Sequence, residues 1–327
     1  MTTTHTAMTP RRAWLAAALI GALAVVSLAQ APRPSTGLQP LPEMTAADRY
    51  QGEDGGLYGG GRNTPPEAHQ RAALGAARAI RPLNAAGQPA TEGKIGLISV
   101  GMSNTTQEFS RFVQLARQDA TLSPRVAIVD GAQGGMDATR WADSVMNPQS
   151  GKNSWDVLDE RLQAAGVTAA QVQVAWLKQA LIGPGRIGAF PVHARKLQAE
   201  NARIVQMLRE RFPNLRIVYL SSRIYAGYAT TQLNPEPYAY ESAFAVRWQI
   251  QEQMAAGAEP QRPVLLWGPY LWADGETPRK SDGLTYARDD LALDGTHPSN
   301  SGRQKVAELL LRFFRTDETA RGWFVGQ

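Results

Sequence analysis

The chain has 327 residues, 43% hydrophobic and 19% charged, with 30 Gly, 21 Pro and no Cys, which excludes collagen-like, coiled-coil and largely disordered architectures. That length buries a sizeable core without staples, and the lack of Cys removes zinc ribbons, iron–sulfur clusters and thiol catalysis from consideration. Lys plus Arg outnumber Asp plus Glu by 34 to 29, a net +5, but the Arg residues are scattered and no basic cluster is interleaved with aromatics, so nucleic acid is not an expected partner.

In chain order, Arg11-Arg12 precedes a 17-residue apolar run from Ala13 to Ala29, and Ser27-Leu28-Ala29 places small residues where a signal peptidase reads. Residues 1–29 are therefore expected to be a signal peptide, cleaved after Ala29 because cleavage after Ala31 would leave Pro32 first. The mature protein is then secreted or periplasmic. The alternative is an uncleaved anchor, since 17 helical residues span roughly 26 Å, barely a bilayer core. A membrane is a partner only in that case.

Residues 30–92 shift to Pro, Gly and Ala and read as an arm or linker with one short helix over 66–80, on which His69 is expected at the surface. Gly55 to Gly61 is expected to be a flexible turn: no strand precedes it, no Gly-Lys-Ser/Thr follows, and Pro65-Pro66 comes next.

From residue 93 to 327 short apolar runs at 94–100, 125–129, 172–177, 215–220 and 263–267 alternate with helical patterns near 105–118, 154–165, 193–212, 238–256 and 300–314. This alternation predicts an α/β fold, a three-layer α/β/α domain with a five-stranded parallel sheet. Ligands of such sheets bind beyond the carboxyl ends of the strands, which points to the loops after Val100, Val129, Leu177 and Leu220.

Two segments carry candidate chemistry. Gly101-Met102-Ser103-Asn104 follows the first strand and opens a helix, so Ser103 is either presented outward beside helix-start amides or is a plain cap. Asp294-Gly295-Thr296-His297-Pro298-Ser299 precedes the last helix. There a carboxylate three residues before a His can fold back onto Nδ1 and leave Nε2 facing a site, or the segment is an Asp-Gly turn and cap. Of the other His residues, His193 is expected to be exposed or capping. Arg223 and Tyr225 follow the fourth strand and are candidates for substrate contact, or for an ion pair and packing. Trp267, Tyr270 and Trp272 are sugar-stacking candidates or core. Asp282, Asp289 and Asp290 read as an acidic surface loop rather than a calcium site.

Together the Gly-Met-Ser-Asn and Asp-x-x-His segments resemble the SGNH (GDSL-like) hydrolases, and among them the sialate O-acetylesterase-like carbohydrate esterases. The resemblance covers about residues 94–316. It implies a flavodoxin-like sheet, Ser103 as nucleophile, His297 as base and Asp294 as its orienter, with no cofactor and no metal. Asp130-Gly131-Ala132-Gln133-Gly134-Gly135, followed by Trp141, is similar to the block that supplies an oxyanion amide, which implies Gly134, or else Gly135, beside the Ser103 amide. Where the family carries Gly-x-Asn-Asp, this chain has Trp176-Leu177-Lys178-Gln179, so Lys178 or Gln179 must replace the amide, and Lys178 is preferred because an ammonium is the stronger donor. The implied activity is hydrolysis of a carboxylic ester, acetyl in the family's pattern, on a glycan or small molecule. The alternatives are a glycan O-acyltransferase with the same residues, or a non-catalytic glycan-binding module. Oligomeric state is left open.

Overall fold

The computed structural model describes residues 1–3, 33–148, 150–256 and 263–326. The expected signal peptide falls almost wholly outside them. The five apolar runs form strands β1 (Ile95–Gly101), β2 (Val126–Asp130), β3 (Val172–Lys178), β4 (Ile217–Leu220) and β5 (Val264–Trp267). All neighbours pair in parallel in the order β2-β1-β3-β4-β5. Strands β1, β3, β4 and β5 are buried along their whole lengths, which is why they read as continuous apolar runs: helices cover both faces of the sheet.

One layer holds α1 (Glu67–Ala79), α2 (Ser103–Gln118), α7 (Asn300–Thr316) and the short α8 (Arg321–Phe324). The other holds α3 (Ala138–Ala142), α4 (Ser154–Ala164), α5 (Val192–Arg211) and α6 (Tyr238–Ala255). Helix α2 buries Phe109, Phe112, Val113 and Ala116 at helical spacing, and the Phe109 ring stacks on Trp176 of β3. Helix α7 meets it with Val306, Leu310 and Phe314. The α/β/α expectation holds, and the chain reverses its strand order between β1 and β3, the switch point where this topology opens a crevice.

Three expectations are corrected. Residues 33–66, expected as an arm or linker, are laid over the body as a strap. Asp274 accepts from the Thr36 amide at 2.6 Å and the Gly37 amide at 3.0 Å, Tyr240 Oη donates to the Gln39 carbonyl at 2.9 Å, and Arg247 pairs with Glu53 and Asp54. The glycine run is part of it, since Trp267 Nε1 donates to the Leu57 carbonyl at 2.7 Å. His69 is buried against β5, its Nε2 2.8 Å from the Leu265 carbonyl. His193 is buried as well, 2.6 Å from Glu241 Oε2, because the strap brings Tyr50 Oη onto the other oxygen of Glu241 and closes the pocket. Periodicity foresees none of the three, because the strap is Gly- and Pro-rich and the partners of the two histidines, Leu265 and Glu241, lie far along the chain. Among the described residues no helix is long and apolar enough to cross a membrane.

Candidate active site

Strand β1 ends at Gly101, whose missing side chain is required: a Cβ there would stand 2.4 Å from both the Lys178 carbonyl oxygen and Thr105 Oγ1. The close approach lets α2 begin at Ser103, two residues earlier than its apolar pattern suggests. Met102 at the N-cap gives no side-chain hydrogen bond, so the first amides of α2, that of Ser103 among them, face the site without an intrahelical acceptor. The Gly101 carbonyl accepts from the Gln133 amide at 3.0 Å and from Trp141 Nε1 at 3.1 Å, which ties the loop after β2 to the end of β1. Gly134 lies exposed on this loop, and its amide has no acceptor among the described residues.

The second segment is a turn tightened by its own backbone. The Gly295 amide donates to the Ala292 carbonyl at 2.8 Å and the Ala292 amide to the His297 carbonyl at 2.7 Å. Gly295 has φ +63°, and a Cβ there would lie 1.8 Å from the Tyr228 carbonyl oxygen, so only Gly fits. Arg288 donates to the carbonyls of Leu291, Ala292 and Leu293 and staples the turn from below.

These two segments meet. Ser103 Oγ lies 2.7 Å from His297 Nε2, and His297 Nδ1 lies 2.5 Å from Asp294 Oδ2. The other Asp294 oxygen accepts from the amides of Thr296 and His297, each at 3.0 Å. Burial alone would raise the Asp294 carboxyl, but the hydrogen bonds from the His297 ring and these two amides outweigh it and hold the group below the usual carboxylate range. With Nδ1–H donated to a carboxylate, Nε2 is left as the acceptor for the Ser103 hydroxyl. Ser299 also caps α7, accepting from the Gly302 amide, so the Asp-x-x-His segment is both turn and constellation.

Three expected site residues are not at this surface. The Lys178 ammonium lies 2.5 Å from Glu108 Oε2, with the two side chains only 1% and 0% exposed, which corrects its role as oxyanion donor. Burial pushes the Lys178 amine down to about 8, against the pull of Glu108. Glu108 sits on the face of α2 that carries Phe109 and Phe112, and its acid among apolar neighbours was the one signal of a buried partner. Tyr225 is buried with its Oη donating to the Arg33 carbonyl at 2.7 Å, so it holds the strap, not substrate. Arg223 is buried too, reaching the Thr296 carbonyl with Nη2 at 3.4 Å. The aromatics after β5 prove to be core: Trp272 Nε1 donates to Glu236 Oε1 at 2.8 Å, and Tyr270 Oη accepts from the Leu41 amide. In the acidic loop Asp282 pairs with Arg279 and Asp290 with Lys305.

Gln179, next after β3, is different. It is 3% exposed, and neither its Nε2 nor its Oε1 has a partner among the described residues. Its neighbours clamp the backbone around it: Thr105 Oγ1 donates to the Lys178 carbonyl at 2.7 Å, and the Ala138 amide to the Ala180 carbonyl at 3.0 Å. Gln179 therefore lies between the start of α2 and the end of the Gly134 loop. Among the described residues no group of three or more His, Asp or Glu is placed to hold a metal ion.

No protein-family model matches the chain, and no curated protein matches it in sequence. Solved structures do. A proposed acylhydrolase from Bacteroides fragilis NCTC 9343 is 13% identical, with 76% of this chain and 96% of that one covered at a TM-score of 0.40. The salicylyl-acyltransferase SsfX3 from a tetracycline biosynthetic pathway is 19% identical, covering 69% and 55% at 0.37, and an extracellular lipase from Streptomyces rimosus is 12% identical, covering 67% and 99% at 0.34. Likeness this distant says nothing of what this chain acts on.

Proposed function

We propose that this chain is a serine ester hydrolase that works through an acyl-enzyme on Ser103. The observation that carries the reading is the unbroken line Ser103 Oγ, His297 Nε2, His297 Nδ1, Asp294 Oδ2, with separations of 2.7 and 2.5 Å on its two hydrogen bonds. Neutral His297 takes the Ser103 proton as Oγ attacks the ester carbonyl, and the Asp294 carboxylate stabilises the imidazolium that forms. The carbonyl oxygen, now anionic, meets the unpaired amides of Ser103 and Gly134. Its third contact falls to Gln179, whose buried amide has no partner among the described residues, rather than to Lys178. The imidazolium then protonates the leaving alcohol, and water deacylates Ser103 by the same steps in reverse roles. None of this draws on a cofactor.

The finer reading rests on the resemblance of Gly-Met-Ser-Asn, the Gly134 block and Asp-x-x-His to SGNH hydrolases: the substrate is a short-chain, acetyl ester on a carbohydrate. Export with cleavage after Ala29 accords with that substrate, which would be met outside the cytoplasm. The test is twofold. A serine-directed fluorophosphonate should label wild type and not Ser103→Ala, and acetate should be released from an O-acetylated glycan by wild type only. Labelling that persists in a folded Ser103→Ala protein, or turnover at the wild-type rate, would end the proposal.

A further inference from the structure

The peptide unit between Thr296 and His297 is gripped at both ends. Its N–H is donated to Asp294 Oδ1 at 3.0 Å. Its carbonyl, on a fully buried residue, receives two side chains from separate parts of the sheet: Asn104 Nδ2 at 2.8 Å and Arg223 Nη2 at 3.4 Å. Asn104 comes from the first turn of α2, after β1, and is the residue following Ser103. Arg223 comes from the loop after β4, where its own amide is fixed to α6 by Ser242 Oγ at 3.1 Å. Strand β3 lies between those two strands, so the donors converge on one oxygen from either side of a strand.

We infer that Asn104 and Arg223 are positioning residues for the base: by holding the Thr296 carbonyl they set the place of the His297 ring over Ser103. This rests on the ester-hydrolase reading of the site. The cost of the arrangement supports it. A buried guanidinium is expensive unless it is well bonded, yet Arg223 Nε and Nη1 have no partner among the described residues, and the Thr296 carbonyl is the only hydrogen bond its side chain makes there. A core that wanted only packing would be served by an apolar side chain. Asn104 is equally exacting, being fully buried with Oδ1 unpaired while Nδ2 makes the shorter of the two bonds. Because one of the tethers springs from the residue beside Ser103, any shift of the α2 start carries the base turn with it and preserves the Oγ to Nε2 separation. Around Arg223 stand the carboxyls of Glu108, Glu236 and Asp294 and the Lys178 ammonium.

The experiment compares wild type with Asn104→Ala, Arg223→Met and Arg223→Lys on a small activated acetyl ester, with rates normalised to sites titrated by fluorophosphonate. Misplacing a reacting group by a fraction of an ångström to an ångström costs up to about a hundredfold, so kcat is expected to fall about ten- to a hundredfold in Asn104→Ala and Arg223→Met with little change in KM. Arg223→Lys, which keeps a charged donor near the Thr296 carbonyl, should recover most of the kcat lost in Arg223→Met. A readout without turnover is the downfield proton signal of the His297 Nδ1–H bond to Asp294, expected in wild type and broadened or lost in Asn104→Ala. Normalised kcat and proton signal both as in wild type would overturn the inference, as would a loss of titratable sites with no change in these two. A wild type that neither labels nor turns over removes the ester-hydrolase reading instead, and the proton signal still decides the clamp.

Discussion

Replacing Lys178 by Met removes the ammonium and keeps the length of the stem. In the folded protein that ammonium is 2.5 Å from Glu108 Oε2, with both side chains out of contact with water and Glu108 Oε1 already unpaired. Lys178→Met therefore strands a carboxylate in the core, a change that costs about 3–5 kcal/mol. For a domain of this size each kcal/mol moves the melting temperature by roughly 2–4 °C, so the midpoint should drop by about 6–20 °C in thermal unfolding followed by circular dichroism. The double variant Lys178→Met/Glu108→Leu, which empties the site of charge, should recover most of the loss. Turnover per folded molecule should stay within about threefold of wild type, because the ammonium is inside the protein and not at the reacting carbonyl; removal of a true oxyanion donor costs about 10² to 10³ in kcat. An unchanged melting temperature with a loss of that size would refute the assignment and return the ammonium to the oxyanion.

Gln179→Leu carries the opposite signature: stability equal to or above wild type, since an amide without partners is replaced by an apolar group, and a kcat loss of about 10² to 10³ at constant KM in steady-state kinetics. Equal kcat in that variant would remove Gln179 from the oxyanion. Asp294→Asn turns an acceptor at Nδ1 into a donor and favours the wrong tautomer, so kcat should fall by about 10³ to 10⁴, measured at neutral pH with the activated ester; a loss under tenfold would show that the carboxylate does not orient the ring. Burial pushes the Glu236 carboxyl up to about 7, against the bonds from Trp272 Nε1 and the amides of Ala226 and Tyr240. The folded state then holds a proton that the unfolded state has released between the ordinary carboxylate range and pH 7, so this group's contribution to stability declines as pH rises through that window, by an amount on the order of 3 kcal/mol. Urea midpoints taken from pH 5 to 8 should show the decline in wild type and a shallower one in Glu236→Gln.

Much of this architecture was legible because it is written in local pattern. The strands are continuous apolar runs, the last helix shows Val306, Leu309, Leu310 and Phe313 at helical spacing, of which Val306 and Leu310 are buried, and the two segments holding Ser103 and His297 sit at strand and helix ends where the parallel-sheet rule looks for ligands. The boundaries of α2 shifted to Ser103 because a helix start is set by the close approach at Gly101 and not by apolar spacing. Apart from Ser103 with His297, which the resemblance paired, what stayed hidden were the pairings made across a long stretch of chain. Lys178 ends an apolar strand and Arg223 follows one, and from sequence each looked like a polar group delivered to a site. Whether such a side chain reaches outward or is met inside depends on a partner 70 residues away in one case, Glu108, and 73 in the other, Thr296. His69 and His193 misled for the same reason, as neither Leu265 nor Glu241 announces itself nearby.

The strap also has a consequence for the order in which this protein can be made. Its anchors lie far downstream, 193 residues on for the bond from Arg247 to Asp54 and 238 for the bond from Thr36 to Asp274. At a synthesis rate of about 5–20 residues per second, the strap emerges roughly 10 to 50 seconds before the side chains that will hold it. During that interval residues 33–66 have no surface of their own to fold on, and the clefts they will fill on α6 and after β5 do not yet exist. The strap thus closes over Trp267, Tyr270 and Tyr240 only after those residues and Asp274 have been made. Residues 33–66 therefore stay open to other contacts until the stretch from Tyr240 to Asp274 has been made.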